Sequence, residues 1–417
     1  MLTVPNMTFL HSNLGKTRLY TPFSNTAVFD GLGAVTSIAN KQLPAASLPS
    51  ARLFDPSVLG LASTHISKSH ISAKRSPSVT APVSPASDNS LAQKVLTDGF
   101  SRELTYLRLS ITDFCNFRCG YCLPNGYQGK RPKNELTLDE IEVLIQAFAQ
   151  VGTKKVRLTG GEPSIRKDVS DIIELVKATP GIETVAMTSN GYKLGKHIKR
   201  WQQAGLNQLN ISIDSFEPEV FQQMTGFDML PQLLQDIDTL LATTDIKLKL
   251  NGILMESTAY ETLLAALEYV KTRPVTYRFI EFMQTSDNSD LFFAQHAQSE
   301  LITQYLLENG WQSHQRGHTD GPAIEYSHPD YVGRIGMIAP YAPHFCDSCN
   351  RLRVSSLGKV HLCLFDQGNY DIRDYLQRQD VEGLIQVLHG FMPIKPEHHH
   401  LDQSNSGMMD NLSMIGG

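Results

Sequence analysis

The sequence predicts an α/β protein with parallel strands, arranged either as an open doubly wound sheet or as part of a β/α barrel. Three observations point there. Six short runs rich in β-branched and large apolar residues recur between residues 104 and 283, amphipathic stretches of helical period separate them, and polar or glycine-rich residues follow them. In both architectures ligands gather at the C-terminal ends of the strands, so one rim is expected to hold the chemistry.

In chain order the runs are LTYLRLSIT (104–112), KKVRLTGG (154–161), TVAMTSNG (184–191), QLNISIDS (208–215), IKLKLNGILM (246–255) and VTYRFIEFM (275–283). The stretch between the first two, LTLDEIEVLIQAFAQVG, reads as a helix: Thr137 and Glu140 form a capping-box pattern and Gly152 stands where the helix would end. Cysteines follow the first run, TGGEP the second, TSNG the third, SIDS closes the fourth and EFM the sixth. Beyond residue 290 the alternation stops. A helix is expected near 297–309, then an irregular segment holding more cysteines, then one helix near 371–389. The expected organisation is therefore an extension over 1–100, a β/α unit over 101–290 and a C-terminal domain over 291–417. The extension is rich in Ser, Thr, Ala and Pro and sparse in acid, which predicts disorder or weak structure and also fits an organelle transit peptide.

With 417 residues and 41% hydrophobic content the chain can bury a large core and suits two domains with an appended tail. A formal net charge of -5 argues against non-specific nucleic-acid binding while leaving room for a local basic patch that grips a small anion. No run of about 18 apolar residues occurs, so no membrane span is expected. All six cysteines fall in two tight groups, which reads as metal binding in a reducing compartment, the cytosol, rather than as disulfides.

Cys115, Cys119 and Cys122 have the spacing Cys-x3-Cys-x2-Cys. A structural zinc ion takes four ligands, so a zinc reading needs a distant fourth. An iron–sulfur cube takes one cysteine per iron, so three cysteines leave one iron open to a small molecule. The second group, Cys346, Cys349 and Cys363, again numbers three. A zinc knuckle is one reading of it and a second cube with an open iron is the sharper one. Arg351 and Arg353 alternate just after Cys349, so on an extended segment they share a face and can grip an anion beside that group. No G-x4-G-K-[ST] loop occurs that would cradle phosphates instead. HHH at 398–400 reads as surface, because adjacent side chains point in different directions.

A Cys-x3-Cys-x2-Cys after a first strand, with Tyr121 before the last cysteine and GGEP after the second strand, resembles the radical S-adenosylmethionine (SAM) enzymes. In that superfamily SAM chelates the open iron, and electron transfer from the cluster cleaves its sulfonium to a 5′-deoxyadenosyl radical. The resemblance implies that Gly160 and Gly161 let backbone approach the methionine moiety and that Asn190 and Ser212 supply polar contacts. Taken with FCDSCNRLR, RFIEFM and the terminal Gly-Gly, residues 104–417 are similar to the GTP 3′,8-cyclase family. That resemblance implies a partial (β/α)6 TIM-type barrel closed by a C-terminal domain with an auxiliary iron–sulfur cluster. It implies two [4Fe-4S] clusters, on Cys115, Cys119 and Cys122 and on Cys346, Cys349 and Cys363, with GTP between them. SAM contacts would come from Tyr121, Gly161, Ser212 and Met283, and GTP contacts from Arg108, Arg157, Thr188, Lys249, Arg278, Arg351 and Arg353. The implied reaction takes hydrogen from ribose C3′, joins C3′ to C8 of guanine and yields 3′,8-cyclo-7,8-dihydro-GTP, the first step of molybdopterin biosynthesis.

An electron donor and hand-off to the next enzyme, cyclic pyranopterin monophosphate synthase, are implied as partners; a homodimer is allowed, and neither nucleic acid nor membrane is expected. A tail ending in Gly416 and Gly417 has no terminal side chains, so it can enter a narrow cavity; the expectation is that it inserts into the barrel and helps position the radical step. The alternatives from other classes are a radical SAM peptide-modifying enzyme and a zinc-binding or electron-transfer protein without its own substrate.

Overall fold

A computed structural model describes residues 94–128, 134–317, 320–365, 370–399 and 401. All of them belong to one compact unit, 63–417. The expectations for Gly416, Gly417 and the extension before residue 94 lie outside the described residues.

All six expected strands form: β1 (Tyr106–Ser110), β2 (Lys155–Thr159), β3 (Thr184–Ser189), β4 (Gln208–Ser212), β5 (Lys247–Leu254) and β6 (Thr276–Glu281). Helices α1 (Leu138–Gln150), α2 (Val169–Ala178), α3 (Leu194–Gln203), α4 (Pro218–Thr225), α5 (Leu230–Thr243) and α6 (Ala259–Thr272) connect them. The capping box is in place. Thr137 Oγ1 accepts from Glu140 N at 3.2 Å, and the Glu140 carboxylate accepts from Thr137 N at 2.8 Å. Alternation along each strand then sorts the side chains. Leu107, Leu109, Val156, Leu158, Leu209 and Ile211 are buried in one core with Ile141, Leu144 and Phe148 of α1. Tyr106, Arg108, Lys155 and Arg157, one position out of phase, line the opposite face.

After α7 (Ser289–Gln295) and α8 (Ser299–Glu308) the chain re-enters the same sheet through β7 (Gln312–His314), β8 (Ile324–Ser327), β9 (Arg334–Ile338), β10 (Arg351–Val354), β11 (Lys359–His361) and β12 (Tyr370–Asp371). The sheet order is β12-β11-β10-β1-β2-β3-β4-β5-β6-β9-β8-β7. Strand β9 lies parallel to β6 and β10 parallel to β1, so the region past residue 290 extends the barrel sheet at both edges. It is an open, partial barrel. Antiparallel β11 and β12 flank one side, β8 and β7 the other.

Two expectations change. The single helix near 371–389 is a pair, α9 (Arg373–Gln377) and α10 (Val381–Phe391). Gln379 takes φ 55° between them, and Asp380 caps α10 by accepting from Gly383 N at 2.8 Å. The single chemical rim also fails. Cys346 and Cys349 precede β10, which runs parallel to β1, so they lie at the N-terminal end of the strands; antiparallel β11 brings Cys363 back to that end. The first triad sits at the other end. No described helix is long and apolar enough to cross a membrane.

Candidate active site

The lumen of the partial barrel holds two cavities that meet. The first, about 1030 Å³ with its open mouth, lies at the C-terminal strand ends and is lined by Cys115, Cys119, Cys122, Tyr121, Gly161, Ser212 and Met283, all expected there. Among the described residues its charged side chains are acids: Glu162 and Asp214 line it, and no described Lys or Arg does. Both carboxylates are buried and held by donors. Glu162 accepts from Ser164 N at 2.9 Å, Ser189 Oγ at 2.7 Å and Asn190 N at 2.6 Å. Asp214 accepts from the Tyr121 hydroxyl at 2.8 Å and from Ile253 N at 3.0 Å. Burial lifts Asp214 to about 6 against those two hydrogen bonds.

The GGEP turn owes its glycines to the cysteine loop itself. A Cβ on Gly160, at φ +138°, would stand 2.1 Å from Thr112 O, and one on Gly161 would stand 2.3 Å from Phe114 O. Gly161 N also donates to Thr112 O at 2.8 Å, and Glu162 N to Phe114 O at 2.9 Å. The turn therefore clasps the chain just before Cys115, in addition to lining the cavity.

The second cavity, about 1240 Å³, occupies the lower lumen. Every residue expected to contact GTP lines it, namely Arg108, Arg157, Thr188, Lys249, Arg278, Arg351 and Arg353, together with Cys346, Cys349 and Cys363. Strand register explains the concentration of charge: Arg353, Arg108 and Arg157 sit side by side on β10, β1 and β2, and Arg351, Tyr106 and Lys155 sit one layer below. Neighbouring strands are about 4.8 Å apart, so three guanidiniums in a row repel unless an anion joins them. Burial and the neighbouring cations push Arg353 down to about 10 and Arg108 well below its ordinary value. Tyr106 shows the field from the other side. Burial alone would raise its phenol, but Arg157, Arg108 and Lys155 hold it at about 7. Arg157 Nε donates to the Tyr106 oxygen at 2.5 Å, and Lys155 Nζ stands 5.1 Å from the ring centroid.

Several of the seven cations have partners within the protein. Lys249 is paired with Glu325 of β8, which also faces Arg334 at 3.4 Å. Arg278 donates twice to Asn251 Oδ1, at 2.9 and 2.7 Å, and Arg157 donates to Met187 O at 3.0 Å and Thr188 Oγ1 at 3.2 Å. Thr188, Asn251, Ile280 and Met283 line both cavities, so the two spaces share a waist.

Sequence reasoning missed Tyr106, Lys155, Glu162, Asp214 and Asn251. The first two lie two residues before Arg108 and Arg157, so strand alternation carried the signal. His399 is a correction. It was expected at the surface, yet it is half-buried, lines the basic cavity and meets Phe345 and Phe365 at ring distances of 5.9 and 5.5 Å.

Both cysteine triads are free thiols and partly buried. Among the described residues no three Cys, His, Asp or Glu side chains converge as ligands of a single metal ion, as a zinc site with sulfurs about 2.3 Å from one point would require. Three cysteines line each cavity, the donor set that an iron–sulfur cube with one open iron requires. Cys349 differs in acidity from the first triad, whereas burial pushes Cys346 up as it does Cys115 and Cys122. Burial and the charge of Glu162 push Cys115 up to about 12, and burial and Asp214 push Cys122 up to about 12. Burial would also raise Cys349, but Arg351, Lys395 and Arg102 overcome it and bring the thiol to about 6.

A three-cysteine loop after the first strand of a partial barrel, with a GGEP turn clasping it, is the construction of a radical SAM enzyme, and residues 109–241 match the radical SAM superfamily. Residues 275–401 match the family described as Molybdenum Cofactor Synthesis C. The GTP 3′,8-cyclase of Yersinia pestis is 47% identical over 323 residues, covering 77% of this chain and 99% of that protein. That of Vibrio parahaemolyticus is 46% identical over 331 residues, covering 79% and 99%. Among solved structures, Streptococcus suis SuiB bound to S-adenosylmethionine overlays 69% of this chain and 68% of that one, at 13% identity and TM-score 0.48. The chain belongs to the GTP 3′,8-cyclase family of radical SAM enzymes.

Proposed function

We propose that this chain converts GTP to 3′,8-cyclo-7,8-dihydro-GTP, with SAM and one [4Fe-4S] cluster in the upper cavity and GTP beside a second cluster in the lower one. The observation that carries the reading is the opposition of charge between two joined cavities: among the described residues, two buried acids and no cation line the upper one, and seven cations with Asp320 as the one acid line the lower. SAM has a sulfonium and an ammonium, which suit the acidic space, and a nucleoside triphosphate has about four negative charges, which suit the basic one.

Cys115, Cys119 and Cys122 would hold the first cluster and Cys346, Cys349 and Cys363 the second; bound there, the first cluster and SAM supply one-electron cleavage of the sulfonium. The chain's own residues do the rest. Asp214 holds Tyr121, and with it the cysteine loop, from the end of β4. Glu162 fixes Asn190 and Ser189 and presents a negative charge to the ammonium. Arg353, Arg108 and Arg157 anchor the triphosphate, which orients the ribose towards the waist at Thr188, Asn251, Ile280 and Met283. The aromatic and apolar lining of Phe345, Phe365 and Leu364 excludes water from the nucleobase end. The reading includes insertion of the Gly416–Gly417 tail into the lumen. Leu401, the last described residue, supports it by packing with Met283 and Phe365 beside the waist. It also includes release of the product to cyclic pyranopterin monophosphate synthase, and a homodimer as the assembly in solution.

The test is anaerobic turnover with SAM, a low-potential reductant and GTP deuterated at C3′. Deuterium in 5′-deoxyadenosine together with cyclised product is the expected result. Deuterium-free 5′-deoxyadenosine accompanying full product formation would overturn the C3′ assignment. A chain that cleaves SAM but neither binds nor alters GTP would overturn the substrate.

A further inference from the structure

Arg102 lies outside both cavities and outside every expected contact, yet its guanidinium is buried and each of its three nitrogens is engaged. Nε donates to Asp98 Oδ2 at 2.7 Å, one terminal nitrogen donates to Cys346 O at 3.1 Å and to Glu397 O at 2.6 Å, and the other donates to Pro396 O at 2.7 Å. Asp98 is fixed in turn, since its Oδ1 accepts from Phe100 N at 2.9 Å and Arg102 N at 3.0 Å. The pair sits in a tight turn in which Ser101 takes φ 61°, closed by Leu104 N donating to Leu96 O at 2.8 Å and anchored by two fully buried leucines, Leu96 and Leu104. Leu96 N donates to Val151 O at 3.1 Å, tying the turn to the end of α1.

What the guanidinium grips decides its role. Cys346 O is the acceptor that closes the Cys346–Cys349 turn, taking Cys349 N at 2.9 Å, and so sets the relative placement of those two thiols. Pro396 and Glu397 lead into His399, which lines the basic cavity, and Leu401, which packs at its waist. Lys395, the neighbour of Pro396, is buried and donates to Leu362 O, the carbonyl just before Cys363. Two buried cations thus bind carbonyls at or beside two of the three auxiliary cysteines. A charged hydrogen bond is strong, and an arginine presents several donors in one rigid plane, which a lysine cannot reproduce.

We propose that the Asp98–Arg102 pair is a positioning clamp that fixes the auxiliary cysteine turn and residues 396–399 against the lower cavity, independently of the SAM site. For its GTP arm the proposal rests on the substrate reading above; its hydrogen-exchange arm does not.

The test uses the reconstituted full chain carrying Arg102→Ala or Arg102→Lys, with peptide-resolved hydrogen exchange, iron per chain, GTP affinity and SAM cleavage in the absence of GTP. Arg102→Ala is expected to speed exchange about tenfold or more in peptides covering 343–350 and 395–401 while leaving 113–123 within about twofold. Its GTP dissociation constant should rise about tenfold or more, with GTP-independent SAM cleavage within about twofold of the parent. Added guanidinium ion should recover part of the protection and affinity in Arg102→Ala, whereas Arg102→Lys should recover less than half. Unchanged exchange in both peptides would overturn the proposal. So would loosening spread equally to 113–123 with equal loss of SAM cleavage and no recovery by guanidinium, because Arg102 would then serve general folding only. Loosened peptides with unchanged GTP affinity would overturn the clamp's hold on the lower cavity, whereas a parent chain that binds no GTP would overturn the substrate reading and leave the exchange result standing.

Discussion

The two cysteine triads use the same ligand in opposite surroundings. The first is carried on eight consecutive residues, 115–122, closed by local turns such as Cys122 N to Cys119 O at 3.0 Å and set among buried acids. The second is split by the β10–β11 hairpin, borrows Arg102 and Lys395 from distant parts of the chain, and is set among cations. The lesson is that the spacing of thiols specifies that a core can be held, whereas the charge around them specifies what binds next to it. An acid-lined cavity and a cation-lined cavity share one lumen here, with the two triads at opposite ends of the barrel strands.

The strongest break of this comparison is at the cysteines. Cys119→Ser should abolish 5′-deoxyadenosine formation and remove about four irons per chain, whereas Cys349→Ser should remove a similar amount and stop cyclisation while SAM cleavage continues. Loss of SAM cleavage in both variants would show that the triads do not act separately.

Next come the charges. Arg353→Ala should weaken GTP binding by about 1.5–3 kcal/mol and leave SAM affinity unchanged, and Glu162→Gln should do the reverse by a similar amount. Titration calorimetry with each ligand reads the cross-pattern. Lys249→Ala should cost GTP binding less than Arg353→Ala, because Glu325 already neutralises the lysine; an equal cost would mean that the ion pair opens when substrate arrives.

The smallest expected effect concerns pH. The cations around Tyr106 hold its phenol at about 7, so above that pH the free enzyme carries a phenolate beside Arg157. A triphosphate takes over those cations and returns the phenol towards its ordinary value, so binding requires proton uptake above pH 7 and none below it. GTP affinity should therefore fall between pH 7.5 and 9, by at most about tenfold per pH unit, and Tyr106→Phe should flatten that slope. An identical slope in Tyr106→Phe would place the titrating group elsewhere.

Much of this molecule was legible in one dimension. Short apolar, β-branched runs separated by stretches of helical period marked all six barrel strands, and the capping box at Thr137 and Glu140 announced α1 because its hydrogen bonds are local. The Cys115–Cys122 spacing and the alternating Arg351 and Arg353 were local signals too. What only the tertiary structure decided were the relations between distant segments. Parallel pairing of β10 with β1 moved the second triad to the opposite end of the lumen from the first and lined up Arg353, Arg108 and Arg157 from positions nearly two hundred and fifty residues apart. The same folding brought His399 into the basic cavity and Arg102 onto Cys346 O. Neither has any local periodicity to betray it, since a hydrogen bond from a side chain to a remote carbonyl depends on where the backbone passes and not on which residue occupies the acceptor position.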